Sequence, residues 1–501
     1  MQGREFLRSS LSLFWLLALA SVASAETYYV RNGGNDNADG RSHETAWATI
    51  GKVNGRALKP GDQVLFHAGD VFKDDVLTIA SSGTRSERIV IGAYHVENGE
   101  AKRGLRDDVR PVLDGENKRP ASMYGALIRV TGDYVRVEDL EIVNSGGRGV
   151  VFERADFGEA VNLRIDRMYN SAIRFIGSND GLAEGNYITH TGLGWYLDGA
   201  RWGATIVAQD RSARTVIRNN VILRVFGEGI NAHHGATDTL IEGNFVFSAR
   251  ALGIYSDAAP GTIIRRNIVL GTTDPDYWRG GSSTGGGIIL NNEGYHYEGG
   301  NALPANVQSK NVQIYGNLVA STAHGIGFWG QFSGTSFDNI LIYNNTLVDN
   351  DVQFFTRNKP MPGSVFVNNI LYSESPGTKD VEGPAKGLTA RNNYFSQGDP
   401  GEPFSHSGNV YEGLELSRMS GWRSITEGNE VSWRDFEPTK ASATNGAGVK
   451  ADLIPAALKE HVLSDFNGKP HNDPMDLGAL RARTGSGKVP KSPKAFTATA
   501  R

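Results

Sequence analysis

The chain has 501 residues, 39% apolar and 21% charged, enough to bury a large core and too apolar for a mainly disordered polymer. A formal charge of −4 offers no general attraction for nucleic acid or an anionic membrane surface. The absence of cysteine excludes disulfide scaffolds, zinc ribbons, iron–sulfur clusters and thiol nucleophiles, and 62 glycines beside 18 prolines point to frequent turns.

The first 25 residues read as a secretory signal peptide. Arg4 and Arg8 precede an apolar run from Leu11 to Ala20, and Ala23-Ser24-Ala25 offers a small-x-small cleavage site. Cleavage removes two arginines and one glutamate, taking the charge from −4 to −5. The mature chain then starts at Glu26 in the periplasm or outside the cell, and no later stretch reaches transmembrane length. Residues 26–105 form a lead-in and the first coils of a repeat. Asn35, Asn37, Asp39 and Gly40 imitate half of a calcium loop, but Ala46 stands where a bidentate glutamate is required, so calcium has no support and no cofactor is required.

From 106 to 411 short β-rich phrases end in an Asn: Leu182–Asn186, Val216–Asn220, Leu240–Asn244, Ile263–Asn267, Val312–Asn317, Ile340–Asn345, Val365–Asn369 and Leu388–Asn393. The final Asn positions differ by 34, 24, 23, 50, 28, 24 and 24, a basal period near 24 with insertions. A second phrase, Gly-Ile, recurs in step at Gly229, Gly253, Gly287 and Gly325. Such a unit cannot bury its apolar face alone and must stack on its neighbours, with corner Asn amides bonding from coil to coil. Leucine-rich repeats are excluded by the missing Leu-x-x-Leu-x-Leu phrase, and propellers by the short period. The expected fold is all-β, a right-handed parallel β-helix, followed by an irregular C-terminal cap over 412–484 and a flexible tail over 485–501.

These repeats resemble the pectate-lyase-like superfamily of right-handed parallel β-helix proteins over about residues 60–400. The lead-in Tyr28-Tyr29-Val30 with NGGNDNADG, and the closing phrase Asp473–Ala479, resemble the flanks of its secreted members. The resemblance implies a carbohydrate-active protein, in a superfamily holding lyases, epimerases, hydrolases, esterases, tailspikes and adhesins.

Strand alternation places side chains on the coils. With Ile173, Thr205, Ile230, Ile254, Ile288 and Ile326 equivalent and pointing inward, one outward row reads Arg174, Ile206, Asn231, Tyr255, Ile289, Gly327, and the next reads Ile176, Ala208, His233, Asp257, Asn291, Trp329. His233 then stands beside Asp257, a carboxylate expected to orient the ring and raise its pKa, with Asn231 and Tyr255 adjacent. His234 falls inward or at the turn, as a structural residue. Insertions bring Trp195, Tyr196, Trp202, Tyr277, Trp278, Tyr295, His296 and Tyr297 near the same coils as flat platforms for sugar rings. Arg174, Arg201, Arg211, Arg250 and Arg279 offer carboxylate-binding guanidinium groups. Gly281–Gly285 matches a nucleophile-elbow pattern, but a repeat strand follows in place of a helix.

The expected catalytic set is His233, Tyr255, Asp257, Asn231 and Arg174. The expected substrate contacts are Asn291, Trp195, Tyr196, Trp202, Trp278, His296 and Trp329, with no metal. The preferred reaction is β-elimination on a uronic-acid polysaccharide by a monomeric enzyme, with His233 as base and Tyr255 as acid. No lysine lies between Lys118 and Lys310, which disfavours lyases with a lysine base. A C5-epimerase shares the proton abstraction, although Asp274-Pro275-Asp276 only partly echoes the epimerase phrase Asp-Pro-His-Asp. A glycoside hydrolase would pair Asp257 with Asp210 or Glu228, and a non-catalytic glycan-binding β-helix would need only the aromatic groups.

Overall fold

The computed structural model describes residues 25–73, 75–200, 202–279, 285–293, 308–330, 335–424, 431–450, 463–471 and 475–481. The expected leader before Ala25, Arg201, the 281–284 part of the elbow motif, Tyr295, His296, Tyr297 and the tail lie outside these residues. Among the described residues, three sheets of 14, 12 and 11 strands run the length of the molecule, parallel apart from one hairpin, and each coil supplies one strand to each sheet. This is the stacked β-helix that the repeat demands. No described helix is long and apolar enough to cross a membrane.

The corner phrase works in two steps. Gly185, Asn219, Gly243, Arg266, Gly316, Asn344, Asn368 and Asn392 all adopt positive φ, a turn that glycine and asparagine accept at least cost. The following Asn then points inward and bonds along the stack. Asn244 donates through Nδ2 to Asn267 Oδ1 at 3.0 Å, and Asn267 to Asn317 Oδ1 at 3.0 Å. The ladder runs unbroken from Asn186 to Asn393, buried throughout.

Inside, Ile217, Ile241, Ile264, Ile314 and Ile342 of the first sheet stack in register. They meet Ile222, Val246, Val269 and Val319 of the second sheet and Ile206, Ile230, Ile254 and Ile288 of the third. The Gly-Ile glycines allow the coils of the third sheet to approach: a Cβ at Gly253 would stand 2.3 Å from Val269 Cγ1 and 2.8 Å from Gly287 O. After about residue 410 the chain turns back and lays Leu414, Trp422, Trp433, Phe436 and Leu477 on the outer face of the second sheet, against Phe247, Leu270 and Leu318. That face is covered, which leaves the third sheet to carry a site.

Candidate active site on the third sheet

The structure corrects one coil of the expected register. Ile206, not Thr205, pairs with Ile173 and Ile230. The outward rows therefore read Arg174, Val207, Asn231, Tyr255, Ile289, and Ile176, Gln209, His233, Asp257, Asn291. The insertion over 190–203 hid the true start of the strand Ala204–Gln209. The inward alternation Ala204, Ile206, Ala208 was the signal that would have found it.

Gln209, absent from the expected set, joins two of its members. Its Oε1 accepts from Arg174 Nη1 at 2.5 Å and from His233 Nε2 at 3.1 Å, while its Nε2 donates to Asp210 Oδ2 at 3.0 Å. With the amide oriented by Asp210, His233 carries its proton on Nε2 and keeps the lone pair on Nδ1. Its hydrogen-bond partner is Gln209 rather than Asp257, and its pKa is not raised as expected. Burial, with the charges of His234 and Arg174, holds it well below the ordinary value, so the ring stays neutral. His234, at positive φ in the turn, stacks on His233 with ring centroids 4.0 Å apart.

Asp257 lies next to His233 in the register but serves the next coil, accepting from the Glu293 backbone N–H at 2.6 Å. Tyr255 donates its phenol proton to Glu293 Oε1 at 2.7 Å, and Asn291 Nδ2 donates to both that carboxylate and the Tyr255 oxygen. Glu293, just past the strand Gly286–Asn291, also escaped the sequence reading. Asn231 Nδ2 donates to Glu228 Oε2 at 2.6 Å. Burial raises the Glu228 carboxyl to about 7, with the Glu293 charge adding to the effect, and burial pushes Tyr255 and Asp257 well above their ordinary values. The patch is an outward face that is nevertheless closed: Tyr255 is 4% exposed and Asp257 1%.

Two aromatic loops close it. Trp202 and Trp329 pack against Tyr255, Leu252 and Ile289, and the Arg279 guanidinium lies over both indoles. Trp195 touches Trp202 edge to face and carries Arg250 over its ring. Tyr196 instead stacks on Phe226, which stacks on Tyr277. Trp278 spends its indole N–H on Thr272 O in its own loop. Towards the N-terminal coils the same face opens into a groove of about 510 Å³ lined by Tyr124, Arg129, Arg148, Arg154, Asp210 and Arg211. Within the described residues Arg154 makes no ion pair, whereas Arg129 is bound by Glu153.

His233, His234 and Asp257 bring ligand atoms within 4.8 Å of one another, a spacing that admits a metal ion. The Asn35–Gly40 segment is local turn chemistry: Asn35 Oδ1 accepts from Asn37 N, and Asp39 Oδ1 from Arg41 N.

Residues 117–269 match the family described as the right handed beta helix region. Two solved structures share the architecture along nearly their whole length. XylC in complex with xylose is 12% identical with a TM-score of 0.59, covering 91% of this chain and 99% of that one. Pectate lyase Pel9A is 15% identical with a TM-score of 0.51, covering 92% and 98%. Comparison with curated protein sequences finds no match. The chain therefore has the fold of a right-handed parallel β-helix, and at these identities the likeness concerns the fold alone.

Proposed function

We propose that the protein is a secreted carbohydrate-active enzyme that cleaves a uronic-acid polysaccharide by β-elimination on its third sheet. The observation that carries this reading is His233 bonded through Nε2 to Gln209 Oε1, which leaves Nδ1 to act as the base, on the coil next to Tyr255. His233 Nδ1 takes the C5 proton. Arg174 and the protonated Glu228 carboxyl hold the uronate carboxylate and stabilise the charge that develops on it. Tyr255 turns its proton from Glu293 Oε1 to the leaving O4, while Asn291 Nδ2 donates to the phenol oxygen and steadies the phenolate that forms. The arginine-lined groove suits an acidic chain extending from the site towards the N-terminal coils. The arrangement of a polysaccharide lyase is also consistent with the likeness in fold to a pectate lyase.

The test is the ultraviolet absorbance of unsaturated uronate products across a panel of uronate polymers. A rise with the wild-type protein that folded His233→Ala and Tyr255→Phe variants lose supports the mechanism; silence across the panel removes it. A second reading, glycoside hydrolysis, is favoured by the three neighbouring carboxyl groups of Glu228, Asp257 and Glu293, of which Glu228 is poised as an acid near neutral pH. It predicts new reducing ends without the absorbance. An epimerase would alter sugar composition with neither signal. Export is part of the proposal: the mature protein begins at Glu26 and acts as a monomer, which N-terminal sequencing and sedimentation would check.

A further inference from the structure

Arg279 lies against two aromatic rings at once. Its guanidinium carbon lies 4.9 Å from the Trp202 ring centre and 5.2 Å from that of Trp329. The two indoles come from insertions on opposite sides of the Tyr255 strand, and both rest on the cluster that contains Tyr255. Arg279 is exposed and has no carboxylate at ion-pair distance among the described residues, so it can leave the indoles at small packing cost. The walls carry unused polarity. Among the described residues, Trp202 Nε1 and Trp329 Nε1 are buried without an acceptor, and Asn231 Oδ1, on a side chain 3% exposed one coil from Tyr255, is buried without a donor. Buried donors and acceptors left open in this way are rare unless a ligand or water completes them. Two indoles around one guanidinium, with hydroxyl-binding atoms beside them, suit a pyranose ring, whose C–H faces stack on aromatic rings while its rim hydroxyls form hydrogen bonds.

We propose that the place this guanidinium takes against Trp202 and Trp329 is a sugar-ring subsite for a uronate residue. The ring replaces the guanidinium against the indoles, and Arg279 turns to pair with the ring carboxylate, exchanging a cation–π contact for a charge-assisted hydrogen bond. The choice of a charged ring rests on the function proposed above; the subsite itself stands on its geometry.

Tryptophan emission of the mature protein, and of His233→Ala to prevent turnover, is titrated with trimers of galacturonate, glucuronate, mannuronate and guluronate and with neutral xylotriose. At least one uronate trimer is expected to give a saturable change that both Trp202→Leu and Trp329→Leu lose while retaining the parent circular dichroism. Arg279→Ala is expected to keep the response but weaken uronate binding about tenfold, bringing it close to that of the neutral trimer. The subsite is overturned if no uronate trimer changes the emission, if the tryptophan variants bind as the parent does, or if Arg279→Ala leaves the uronate preference intact. Unsaturated product formed equally by parent and Trp202→Leu would remove the subsite and leave β-elimination standing. Trimer binding with no unsaturated product from any polymer would do the reverse.

Discussion

Asparagine serves opposite purposes on the inside and the outside of this helix. In the inner ladder each buried amide is completed by its neighbours: Asn267 Oδ1 accepts from the backbone and side chain of Asn244, and its Nδ2 donates to Ile241 O and Asn317 Oδ1. On the third sheet Asn231 is equally buried, yet among the described residues its Oδ1 has no partner, and the neighbouring Trp202 and Trp329 N–H groups are open as well. Other buried polar atoms without a partner among the described residues, such as Gln313 Oε1, Asn344 Oδ1 and Trp422 Nε1, are scattered over the molecule, whereas these three gather around Tyr255, where the proposed function places the site.

The largest expected effect comes from the site. His233→Ala removes the proposed base and should lower turnover by about 10²–10⁴-fold with the melting temperature nearly unchanged, as followed by product absorbance and circular dichroism. A comparable loss of stability with loss of rate would mean that His233 belongs to the scaffold. Next is the ladder. Asn267→Ala removes four hydrogen bonds and leaves the Asn244 backbone N–H and one Asn244 Nδ2 hydrogen without their acceptor, while Asn317 Oδ1 keeps the residue-267 backbone N–H, at a cost of about 3–5 kcal/mol in a urea titration.

Glu228 gives a pH test of the same contrast. Its carboxyl is raised to about 7 in the folded chain from an ordinary 4.5, so between these values the folded state holds a proton that the unfolded state has released. The contribution of Glu228 to stability therefore falls as pH rises from about 4.5 to about 7, by up to about 3 kcal/mol, against the opposite slope from the buried neutral His233. The difference in stability between the wild type and Glu228→Gln should follow that contribution, moving against the wild type as pH rises. If the protonated carboxyl holds substrate, the wild-type rate also falls as pH climbs through about 7, and the Gln variant loses this limb. A wild-type minus Glu228→Gln difference that stays constant or grows in favour of the wild type over the interval would show that Glu228 is ionised in the fold.

Most of the scaffold was legible from sequence because it repeats. The corner Asn phrase and the Gly-Ile phrase each recur with the coil, and each encodes one physical requirement: a left-handed turn with a stacked amide, and a close approach of backbones. The site was legible only where it keeps to the coil. His233, Asp257, Asn231, Tyr255 and Asn291 fall on the outward rows that alternation predicts. Gln209 was lost because an insertion displaced the count by one residue, and Glu293 because it sits beyond the strand, where no period reaches. The neutral state of His233 was illegible for a different reason: it depends on the loops that bury the face, and burial outweighs a nearby carboxylate.

The smallest expected effect on stability sharpens the comparison most. Asn231→Ala removes one hydrogen bond, to Glu228, and also an acceptor that the fold leaves unmatched, so the two changes oppose one another and stability should move by less than about 1 kcal/mol. The lost bond is one that lowers the Glu228 pKa, so the variant should carry that titration to higher pH. Binding should suffer far more than folding, because the open Oδ1 is the atom available to a sugar hydroxyl. Urea titrations of Asn231→Ala and Asn267→Ala, run beside uronate-trimer binding by Asn231→Ala, set the same substitution in the two environments. If Asn231→Ala costs as much stability as the ladder variant, its oxygen is part of the scaffold and the site has been misplaced; if it costs little and binding is lost, the unmatched oxygen belongs to the ligand.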